Sequence, residues 1–461
     1  MYLARRVLEY AIITCFLLFN ILMFGVPRSV FQSWKGKVEN EQAIPDFSRY
    51  ESLYTVPEGE FPLDPTKRVI IVGDIHGMIE PLDMLLDRLS YDSRSDVLVH
   101  VGDIVSRGPH KGSMATLAFM VANNVTGVRG NHDQKVVEWR GWIDWIQTLP
   151  QGRRWLERTE RRWHESNLDV SRAKFWVETQ KRTASEEDRR WWKLVPRKWI
   201  MFGDHYKIAR EMESEDFSYL LNLPLKLYVP SAHLFVVHAG LLSSDPRYPY
   251  YDASRQPLAR MPTRLGGIDV VDGDEEEVND AVGVLRKVQE MALMTEIPQN
   301  LDPWASLNMR SVQGGKVVKS NHGDPWSNLW NKEMGHCVGF NIEHSNASSK
   351  KKHPLPCYPS SVVYGHSAAR GLDVKRWTVG LDSGCIYGRK MSALVIGGRK
   401  KKLRRLDELG EEEEGEDLDV GSIAYTKGKD VDDAEKSNEN VIPFGDNGTA
   451  RIFSVKCQKP R

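Results

Sequence analysis

Five short β-branched runs, each followed directly by a polar cluster, constrain the fold of this chain more than any other feature of its sequence. The runs cover residues 68–72, 97–101, 125–128, 234–237 and 361–364. Such runs, separated by longer helix-like segments, are typical of an α/β fold. Because α/β sheets usually build their sites at the carboxyl ends of the strands, we expect the five polar clusters to lie close together.

The polar clusters are rich in side chains that bind metal ions. Their sequences are GDIHG, GDIVSRG, RGNHD, HAG and GHS, at residues 73–77, 102–108, 129–133, 238–240 and 365–367. Asp, Asn and His suit Zn²⁺, Mn²⁺, Fe or Co²⁺ better than Ca²⁺, which prefers an all-oxygen shell. One Asp-x-His pair is a weak signal, but five clusters of this type at strand ends predict a two-metal hydrolytic centre. The glycines allow sharp turns after the strands and leave room for metal and phosphate.

Composition narrows the class of protein. The 461-residue chain has 41% hydrophobic and 27% charged residues, which excludes a polytopic membrane protein and a wholly disordered polymer. Lys+Arg and Asp+Glu are equal at 63 each, so a polyanion would have to bind a local patch, and no nucleic-acid partner is expected. The five cysteines have no CxxC spacing, which argues against a structural zinc module and leaves open whether the Cys337–Cys357 or the Cys385–Cys457 pair is bridged.

An apolar run near the N-terminus predicts a membrane anchor. It extends over residues 10–26 and is marginally long enough to span a bilayer, which needs about 20 apolar residues. No small-residue cleavage site follows Gly25, so we expect an uncleaved transmembrane signal anchor at 10–27, with a cleaved signal or a buried soluble helix as alternatives. Basic residues flank the run on both sides and do not set its orientation, whereas sequons at Asn346 and Asn447 favour a lumenal domain.

The rest of the chain divides into segments of different composition. A tail of residues 1–9 precedes the anchor, a linker covers 28–61, and a catalytic domain is expected over 62–461. Residues 134–225 predict a mainly helical insertion with nine of the 14 tryptophans, of which Trp139, Trp142 and Trp145 are expected to pack on the core at helical spacing.

Two segments carry unbalanced charge. Residues 151–210 hold 16 basic and 9 acidic residues, which form either a solvated helical surface or a basic wall that guides an anionic substrate. Residues 400–445 predict a disordered acidic loop, because 406–420 hold nine acidic residues and no basic one. A closing strand is expected at residues 452–457.

The polar clusters resemble the motifs of the calcineurin-like metallophosphoesterases, and within them the phosphoprotein-phosphatase branch, with its GD-x-HG, GD-x-x-DRG, GNHE, HGGL and final His. The resemblance covers residues 68–393. It implies an α/β fold, a two-sheet metallophosphoesterase sandwich, with two divalent metal ions between the sheets, Zn first and Mn, Co or Fe as alternatives. By position, the implied ligands are Asp74, His76 and Asp103 for the first ion and Asp103, Asn131, His238 and His366 for the second.

The same resemblance implies a mechanism. A hydroxide that bridges the metals would attack phosphorus in line, His132 would protonate the leaving oxygen, and Arg107 and Arg129 would hold the phosphate. These roles agree with the chemistry of the residues, since two cations lower the pKa of bound water and guanidinium groups match phosphate geometry. We interpret Arg310 as a surface arginine rather than as a further phosphate ligand.

Two positions depart from the family motifs. Ser106 stands where the family has the aspartate of DRG, and Asp133 replaces the glutamate of GNHE. A serine hydroxyl does not stabilise an imidazolium as a carboxylate does, so we take Asp133 as the candidate support for His132. Weakened proton donation disfavours an alkoxide leaving group more than a phosphate, so the change favours phosphoanhydride substrates.

The anchor, the GDIHG motif, the missing DRG aspartate and the Trp-rich insertion together resemble the fungal vacuolar metal-dependent endopolyphosphatases. That resemblance implies hydrolysis of internal bonds in inorganic polyphosphate, an anionic phosphate polymer, by a single-pass protein of the vacuole membrane with its catalytic domain in the lumen. A Ser/Thr protein phosphatase or a dinucleoside tetraphosphatase is the alternative enzyme. A membrane-anchored pseudophosphatase that only binds its ligand is the alternative of another class, although the complete ligand set argues against it.

Overall fold

All five predicted β-branched runs form strands in the computed structural model, which describes residues 43–61, 67–262, 275–340, 353–397 and 440–460. The strands in chain order are β1 Tyr54–Thr55, β2 Arg68–Val72, β3 Asp96–His100, β4 Thr126–Gly127, β5 Lys226–Val229, β6 Leu234–Val237, β7 Ser311–Gln313, β8 Lys316–Val318, β9 Asp324–Pro325, β10 Ser361–Tyr364, β11 Asp373–Val374, β12 Thr378–Gly380, β13 Lys390–Gly397, β14 Asn440–Phe444 and β15 Gly448–Lys456. The predicted closing strand corresponds to β15.

The helices lie mainly between these strands. In chain order they are α1 Ile79–Arg88, α2 His110–Ala122, α3 Asn131–Thr148, α4 Gly152–Glu165, α5 Ala173–Thr183, α6 Glu186–Lys193, α7 Asp204–Glu211, α8 Ser214–Asn222, α9 Glu275–Glu296, α10 Pro298–Leu301, α11 Pro303–Asn308 and α12 Trp326–Met334. The described residues fall into two compact units, one with residues 43–46 and 193–197 and the other with the described residues of 47–192 and 198–460. The first unit contains the end of α6, and the second contains both large sheets.

Two six-stranded sheets form the centre of the second unit. Their strand orders are β1-β5-β6-β10-β12-β11 and β14-β15-β13-β2-β3-β4. In the first sheet β6, β10 and β12 run parallel, and in the second β2, β3 and β4 run parallel. A third, three-stranded sheet has the order β8-β7-β9. The fold is mixed α/β, as predicted, and the strands that precede the polar clusters are neighbours within each sheet.

One hydrophobic cluster takes side chains from both large sheets. Val69 and Ile71 of β2 belong to it, as expected for alternate residues on one face of a strand. The first sheet contributes Leu227, Val229, Leu234, Val236, Val363 and Val379. Full burial of such side chains stabilises the fold by about 1.5–3 kcal/mol each, so this shared core sets how the two sheets pack.

A second cluster covers the first sheet with helices. Trp326 and Trp330, one helical turn apart on α12, are fully buried there. Their indole nitrogens donate hydrogen bonds to the carbonyls of Ala239 (2.9 Å) and Ser360 (3.0 Å). Because Ala239 follows His238 directly, this packing also fixes the backbone of one polar cluster.

The helices α3 to α8 between β4 and β5 correspond to the predicted insertion. Trp142 is fully buried, Trp139 is buried, and Trp145 is half-buried against Phe47 with ring centroids 5.7 Å apart. The prediction of inward packing is therefore confirmed for Trp139 and Trp142, whereas Trp145 is only partly covered.

Several predicted features lie outside the described residues. They are the anchor at residues 10–27, the Asn346 sequon and the acidic stretch 406–420. Within the described part of the chain, no helix is long and apolar enough to cross a membrane. Of the loop predicted at 400–445, the described end differs from the prediction, because Asn440–Phe444 form β14 and pair antiparallel with β15.

Both cysteine pairs that the sequence leaves open are bridged. Cys337 bonds to Cys357 and Cys385 bonds to Cys457, with Cα atoms 4.8 Å and 5.2 Å apart. The second bond ties the turn after β12 to the end of β15. These cross-links limit the conformations of the unfolded chain and so stabilise the folded one.

Lys226 provides a test of the core that depends on pH. Its ammonium group is buried at the start of β5, where Nζ donates to the Asn300 carbonyl (3.0 Å) and the Ser306 hydroxyl (3.4 Å). Burial lowers the pKa of Lys226 from 10.5 to about 8. The unfolded chain therefore binds more protons between pH 8 and 10.5, and the free energy of unfolding should rise through that window.

We expect the rise due to Lys226 between pH 7.5 and pH 10 to be about 2 kcal/mol and to be absent from Lys226→Met. Denaturant titrations of both proteins at pH 7.5 and pH 10 measure the difference, and Lys67→Met, a change at a surface lysine, is the control. A parallel pH dependence in the wild type and in Lys226→Met would contradict this account of the core.

Candidate active site

The carboxyl ends of four strands bring the predicted ligands to one place. Asp74 follows β2 and Asp103 follows β3 in one sheet, whereas His238 follows β6 and His366 follows β10 in the other. The side chains of Asp74, Asp103, His238 and His366 are buried. The site therefore lies where the strand ends of the two sheets meet.

The buried donors form two groups that share Asp103. Asp74, His76 and Asp103 make the first group, and Asp103, His238 and His366 make the second, with the donor atoms of each group within 4.8 Å of one another. His76 Nε2 lies 4.0 Å from Asp74 Oδ2 and 3.8 Å from Asp103 Oδ2. His238 Nε2 lies 3.5 Å from Asp103 Oδ2.

Asn131 joins the second group at the start of α3. Its amide oxygen lies 3.2 Å from His238 Nε2. His238 Nδ1 lies 2.9 Å from the Val101 carbonyl and donates its hydrogen there, so Nε2 is the nitrogen that faces Asn131 and Asp103 and that a cation would bind.

These donors fit two divalent cations. Among the described residues, the buried ring nitrogens His76 Nδ1 and His366 Nε2 have no hydrogen-bond partner. Buried polar atoms without partners are unusual, and a cation at His366 Nε2 would satisfy that atom. The mixture of carboxylate, amide and imidazole donors suits Zn²⁺, Mn²⁺, Fe or Co²⁺.

The charges of the site also favour bound cations. Burial and then the Asp382 carboxylate raise the pKa of Asp74 well above its usual range. Burial opposes protonation of His238, but the Asp103 carboxylate outweighs it and raises the pKa of His238 to about 10. Burial alone would raise the pKa of Asp103, yet His238 and His132 hold it well below its usual range. Cations between these groups would neutralise the crowded negative charge.

The loops that carry the donors adopt unusual backbone conformations. His76, Asp103 and His366 have positive φ angles of 51°, 51° and 67°. Such angles are uncommon for residues other than glycine, and they persist only where the surroundings hold them. Three candidate ligands thus sit in strained turns directly after their strands.

Asp133 supplies much of this support, which corrects its predicted role. Its carboxylate accepts hydrogen bonds from the backbone N–H groups of Asp103 (2.8 Å), Ile104 (3.1 Å), Val105 (3.3 Å) and Gly130 (2.9 Å). Because both carboxylate oxygens bond to these amides, Asp133 holds the Asp103 loop to α3 rather than supporting His132.

Two glycines allow the loops to approach each other. A Cβ atom on Gly130 would lie 2.2 Å from Asp103 Oδ1, and one on Gly365 would lie 2.0 Å from Asp74 Oδ1. Any side chain at either position would collide with a candidate metal ligand. The space beside these two glycines is therefore occupied by the carboxylates of Asp103 and Asp74.

His132 contacts another histidine. Its backbone N–H donates to Asp103 Oδ1 (2.8 Å), and its Nδ1 lies 2.9 Å from Nε2 of His205 on α7. Burial lowers the pKa of His132 well below its usual range and that of His205 to about 4. The sequence carries no local signal for His205, which is 73 positions from His132 and lies in the helical insertion.

The two predicted phosphate-binding arginines have different surroundings. Arg107 lines a cavity of about 380 Å³ together with the candidate ligands. Arg129 is fully buried, and its guanidinium donates to the carbonyls of Arg49 and Leu221 and to Gln134 Oε1. The prediction for Arg129 is therefore wrong, because its hydrogen-bonding groups are directed into the protein.

Other residues that sequence reasoning assigned elsewhere or missed also line the cavity. Arg310, interpreted from sequence as a surface residue, lies there with Nη2 3.1 Å from the His366 carbonyl, which accepts its hydrogen. Arg389, Tyr387 and Asp382 are there too. Asp382 follows β12 within the sequence LDSG, so a sixth strand followed by a polar cluster was the signal that could have found it.

Comparisons with known proteins agree with this geometry. The model of the family described as calcineurin-like phosphoesterase matches residues 67–242. The zinc-dependent endopolyphosphatase of Saccharomyces cerevisiae is 21% identical over 382 residues, which are 81% of this chain and 90% of that protein.

Two bacterial enzymes match shorter segments. Serine/threonine-protein phosphatase 1 of Salmonella typhimurium is 37% identical over 92 residues, and the symmetrical bis(5'-nucleosyl)-tetraphosphatase of Buchnera aphidicola is 39% identical over 66 residues. These matches span 20% and 14% of this chain and only 42% and 24% of the relatives' own lengths. The chain therefore contains a calcineurin-like metallophosphoesterase domain, the domain of a hydrolase, over residues 67–242.

Proposed function

We propose that this chain is a metal-dependent phosphohydrolase that cleaves phosphoanhydride bonds, with the internal bonds of inorganic polyphosphate as its substrate. The observation that carries the proposal is the pair of buried donor groups sharing Asp103 at a cavity lined by arginines. The similarity to a zinc-dependent endopolyphosphatase over 90% of that protein supports the choice of substrate.

The residues divide into ligands and groups that act on the substrate. The first cation would be held by Asp74, His76 and Asp103, and the second by Asp103, Asn131, His238 and His366. Two divalent cations, zinc being the first choice, supply an activated water and neutralise charge on the phosphoryl oxygens when bound.

Protein side chains bind the substrate and donate the proton. Arg107 and Arg310 bind the phosphoryl oxygens through charge-assisted hydrogen bonds, and His132 donates a proton to the leaving oxygen. Tyr387 orients Arg107, because its hydroxyl accepts a hydrogen bond from Arg107 Nη2 (2.6 Å).

Charge around the cavity favours a polyanionic substrate. Arg107, Arg310 and Arg389 line it, and residues 151–210 of the insertion carry 16 basic against 9 acidic residues. A chain of phosphates leaves as phosphate, whose relevant pKa is about 6, and so needs less protonation than an alkoxide does. A site without the family's DRG aspartate is therefore better suited to anhydrides than to phosphoserine.

We further propose that the chain is a single-pass glycoprotein of the vacuole membrane, anchored through residues 10–27, with the catalytic domain in the lumen. Two disulfides support an oxidising compartment. Asn447 supports glycosylation, since it is exposed in the turn between β14 and β15. Protease protection in intact vesicles, with a glycosidase-sensitive shift that Asn447→Gln reduces, is expected.

One observation favours a dinucleoside tetraphosphatase as the second candidate. Tyr387 is 47% exposed at the cavity and presents an aromatic ring on which a nucleobase could stack. The cations of Arg107 and Arg389 lie 5.3 Å and 5.7 Å from the centre of this ring. A Tyr387→Leu variant that weakens binding of a dinucleotide much more than binding of polyphosphate would support this candidate.

The shared carboxylate provides the first test of the proposed chemistry. Asp103→Asn keeps the shape of the side chain but removes the negative charge that both donor groups use, so kcat should fall by about three orders of magnitude. Bound metal, measured by elemental analysis, should fall as well. The control is Asp83→Asn on the exposed face of α1. Full activity or full metal content in Asp103→Asn would contradict the dinuclear site.

Substrate class can be decided by a direct comparison. We expect kcat/KM for long polyphosphate to exceed that for a phosphoserine peptide by orders of magnitude, because the anhydride has the better leaving group. The metal-loaded protein should be assayed at one pH with polyphosphate, a dinucleoside tetraphosphate and the peptide. Added salt should reduce capture of the long chain most, because it screens the basic surface. Equal kcat/KM values for the phosphoserine peptide and polyphosphate would favour the protein-phosphatase alternative.

The two arginines whose roles differ from the prediction should separate in one experiment. Arg310→Ala should raise KM and lower kcat/KM by about 10- to 100-fold with little loss of stability, because a charged hydrogen bond to phosphate is removed. Arg129→Met should lower the free energy of unfolding by about 3 kcal/mol, since buried carbonyls lose their donor. Its kcat/KM per folded molecule should stay within about threefold of the wild type. Normal stability together with a 10- to 100-fold lower kcat/KM in Arg129→Met would instead support Arg129 as a phosphate ligand.

A further inference from the structure

We propose that His205 is a positioning residue that fixes the ring of His132 for proton donation, in the place of the carboxylate that the family has where this chain has Ser106. The proposal rests on the proposed phosphohydrolase function. It deepens that function by naming the group through which the helical insertion acts on the reaction.

The contact between the two rings has the geometry of a hydrogen bond. His205 Nε2 lies 2.9 Å from His132 Nδ1, and the two rings lie edge to edge in nearly one plane, with centroids 5.1 Å apart and planes 17° apart. Two nitrogens at that distance share a single hydrogen. His132 lines the cavity, and with its Nδ1 engaged by His205 the nitrogen left for the substrate is Nε2.

The position of His205 is itself fixed by its neighbour in the chain. Asp204 Oδ2 accepts hydrogen bonds from the Ser106 hydroxyl (2.6 Å) and from the Arg107 backbone N–H (2.6 Å). Asp204 begins α7, so these bonds hold the first turn of that helix to the loop that follows β3. Ser106 therefore holds the start of α7 in place, and this contact positions His205 beside His132.

Packing between α3 and α7 holds the pair from the other side. Trp139 of α3 and Tyr206 of α7 are both buried and meet edge to face with ring centroids 5.1 Å apart. The Tyr206 hydroxyl donates to Glu160 Oε1 of α4 (2.5 Å). The aromatic core of the insertion thus supports the placement of a ring at the active site.

In the proton transfer His205 accepts a hydrogen bond from His132, and the leaving oxygen accepts the proton. Protonated His132 keeps its Nδ1 hydrogen on the bond to His205 Nε2 and gives its Nε2 hydrogen to the leaving oxygen. Water adds to phosphorus, and the bond from phosphorus to the leaving oxygen breaks with its electron pair staying on that oxygen. Solvent returns the proton lost by the attacking water to Nε2 of the neutral ring. A neutral imidazole stabilises this cation less than a carboxylate would, which agrees with a preference for good leaving groups.

Leaving-group dependence separates this role from a structural one. His205→Ala should lower kcat about 10- to 100-fold for an alkyl phosphate, whose leaving oxygen needs the proton, with KM unchanged. It should change kcat for p-nitrophenyl phosphate by less than about threefold, because that leaving group departs without protonation. His205→Gln should recover most of the loss, since its amide oxygen can accept the Nδ1 hydrogen. The control is His164→Ala, at an exposed histidine on α4.

A double-variant cycle tests whether His205 acts through His132. The His132→Ala/His205→Ala variant should be no slower on the alkyl phosphate than His132→Ala alone, because the positioned ring is already absent. Losses that multiply, or equal losses for both leaving groups, would overturn the proposal.

A measurement without turnover separates this proposal from the proposed substrate. In ¹⁵N spectra of imidazole-labelled protein, His205→Ala should shift the Nδ1 signal of His132, which the His132→Ala variant assigns. No shift would overturn the contact. A shift and a non-multiplicative cycle on simple esters, together with no cleavage of polyphosphate, would reject the proposed substrate and leave the positioning role intact.

Discussion

The Asp103 carboxylate lies at the edge where two separate sheets end, and both groups of candidate ligands include it. A buried carboxylate is costly to keep charged, so its surroundings must provide compensation. His238 and His132 hold its pKa well below the usual range against the effect of burial. The rest of the site is arranged around this one charge: Asp74 and His76 follow a strand of the same sheet, whereas His238 and His366 follow strands of the other.

This charge is held by a loop that is strained and heavily supported. Asp103 has a φ of 51°, and Ser106 and Arg107 have φ angles of 75° and 71°. Conformations of this kind persist when other contacts stabilise them. Asp133 binds the loop from α3, and Asp204 binds it from α7. Asp133 is occupied by the backbone N–H groups of this loop, which explains why an acidic residue beside His132 in the sequence is not its partner in space.

The helical insertion has two roles. Its aromatic residues form a core of their own, with Trp163 stacked on Phe202 and Trp155 on Trp191. This core keeps α7 in register with α3 and places His205 beside His132. The same helices carry the basic surface proposed to attract a polyanion. The insertion is therefore linked to the candidate active site by hydrogen bonds of both Asp204 and His205.

Local patterns in the sequence were enough to predict the α/β class, the five strands and the donor types of the site. Those features depend on short-range chemistry, because β-branched runs favour strands and parallel strands of a sheet present their carboxyl ends together. The same local information predicted the helical insertion and the inward packing of Trp139 and Trp142.

The partners of individual side chains were decided only by the tertiary structure. Arg129 and Arg107 both sit beside metal-ligand motifs, yet one guanidinium is buried among carbonyls and the other lines the cavity. Arg310 and His205 reach the site from positions with no motif around them. The direction of a side chain depends on the helix or strand that packs against it. The residues next to that side chain in the sequence do not specify this long-range packing. The sequence alone therefore determined which chemistry is present, and the packing of sheets and helices determined which residues carry it out.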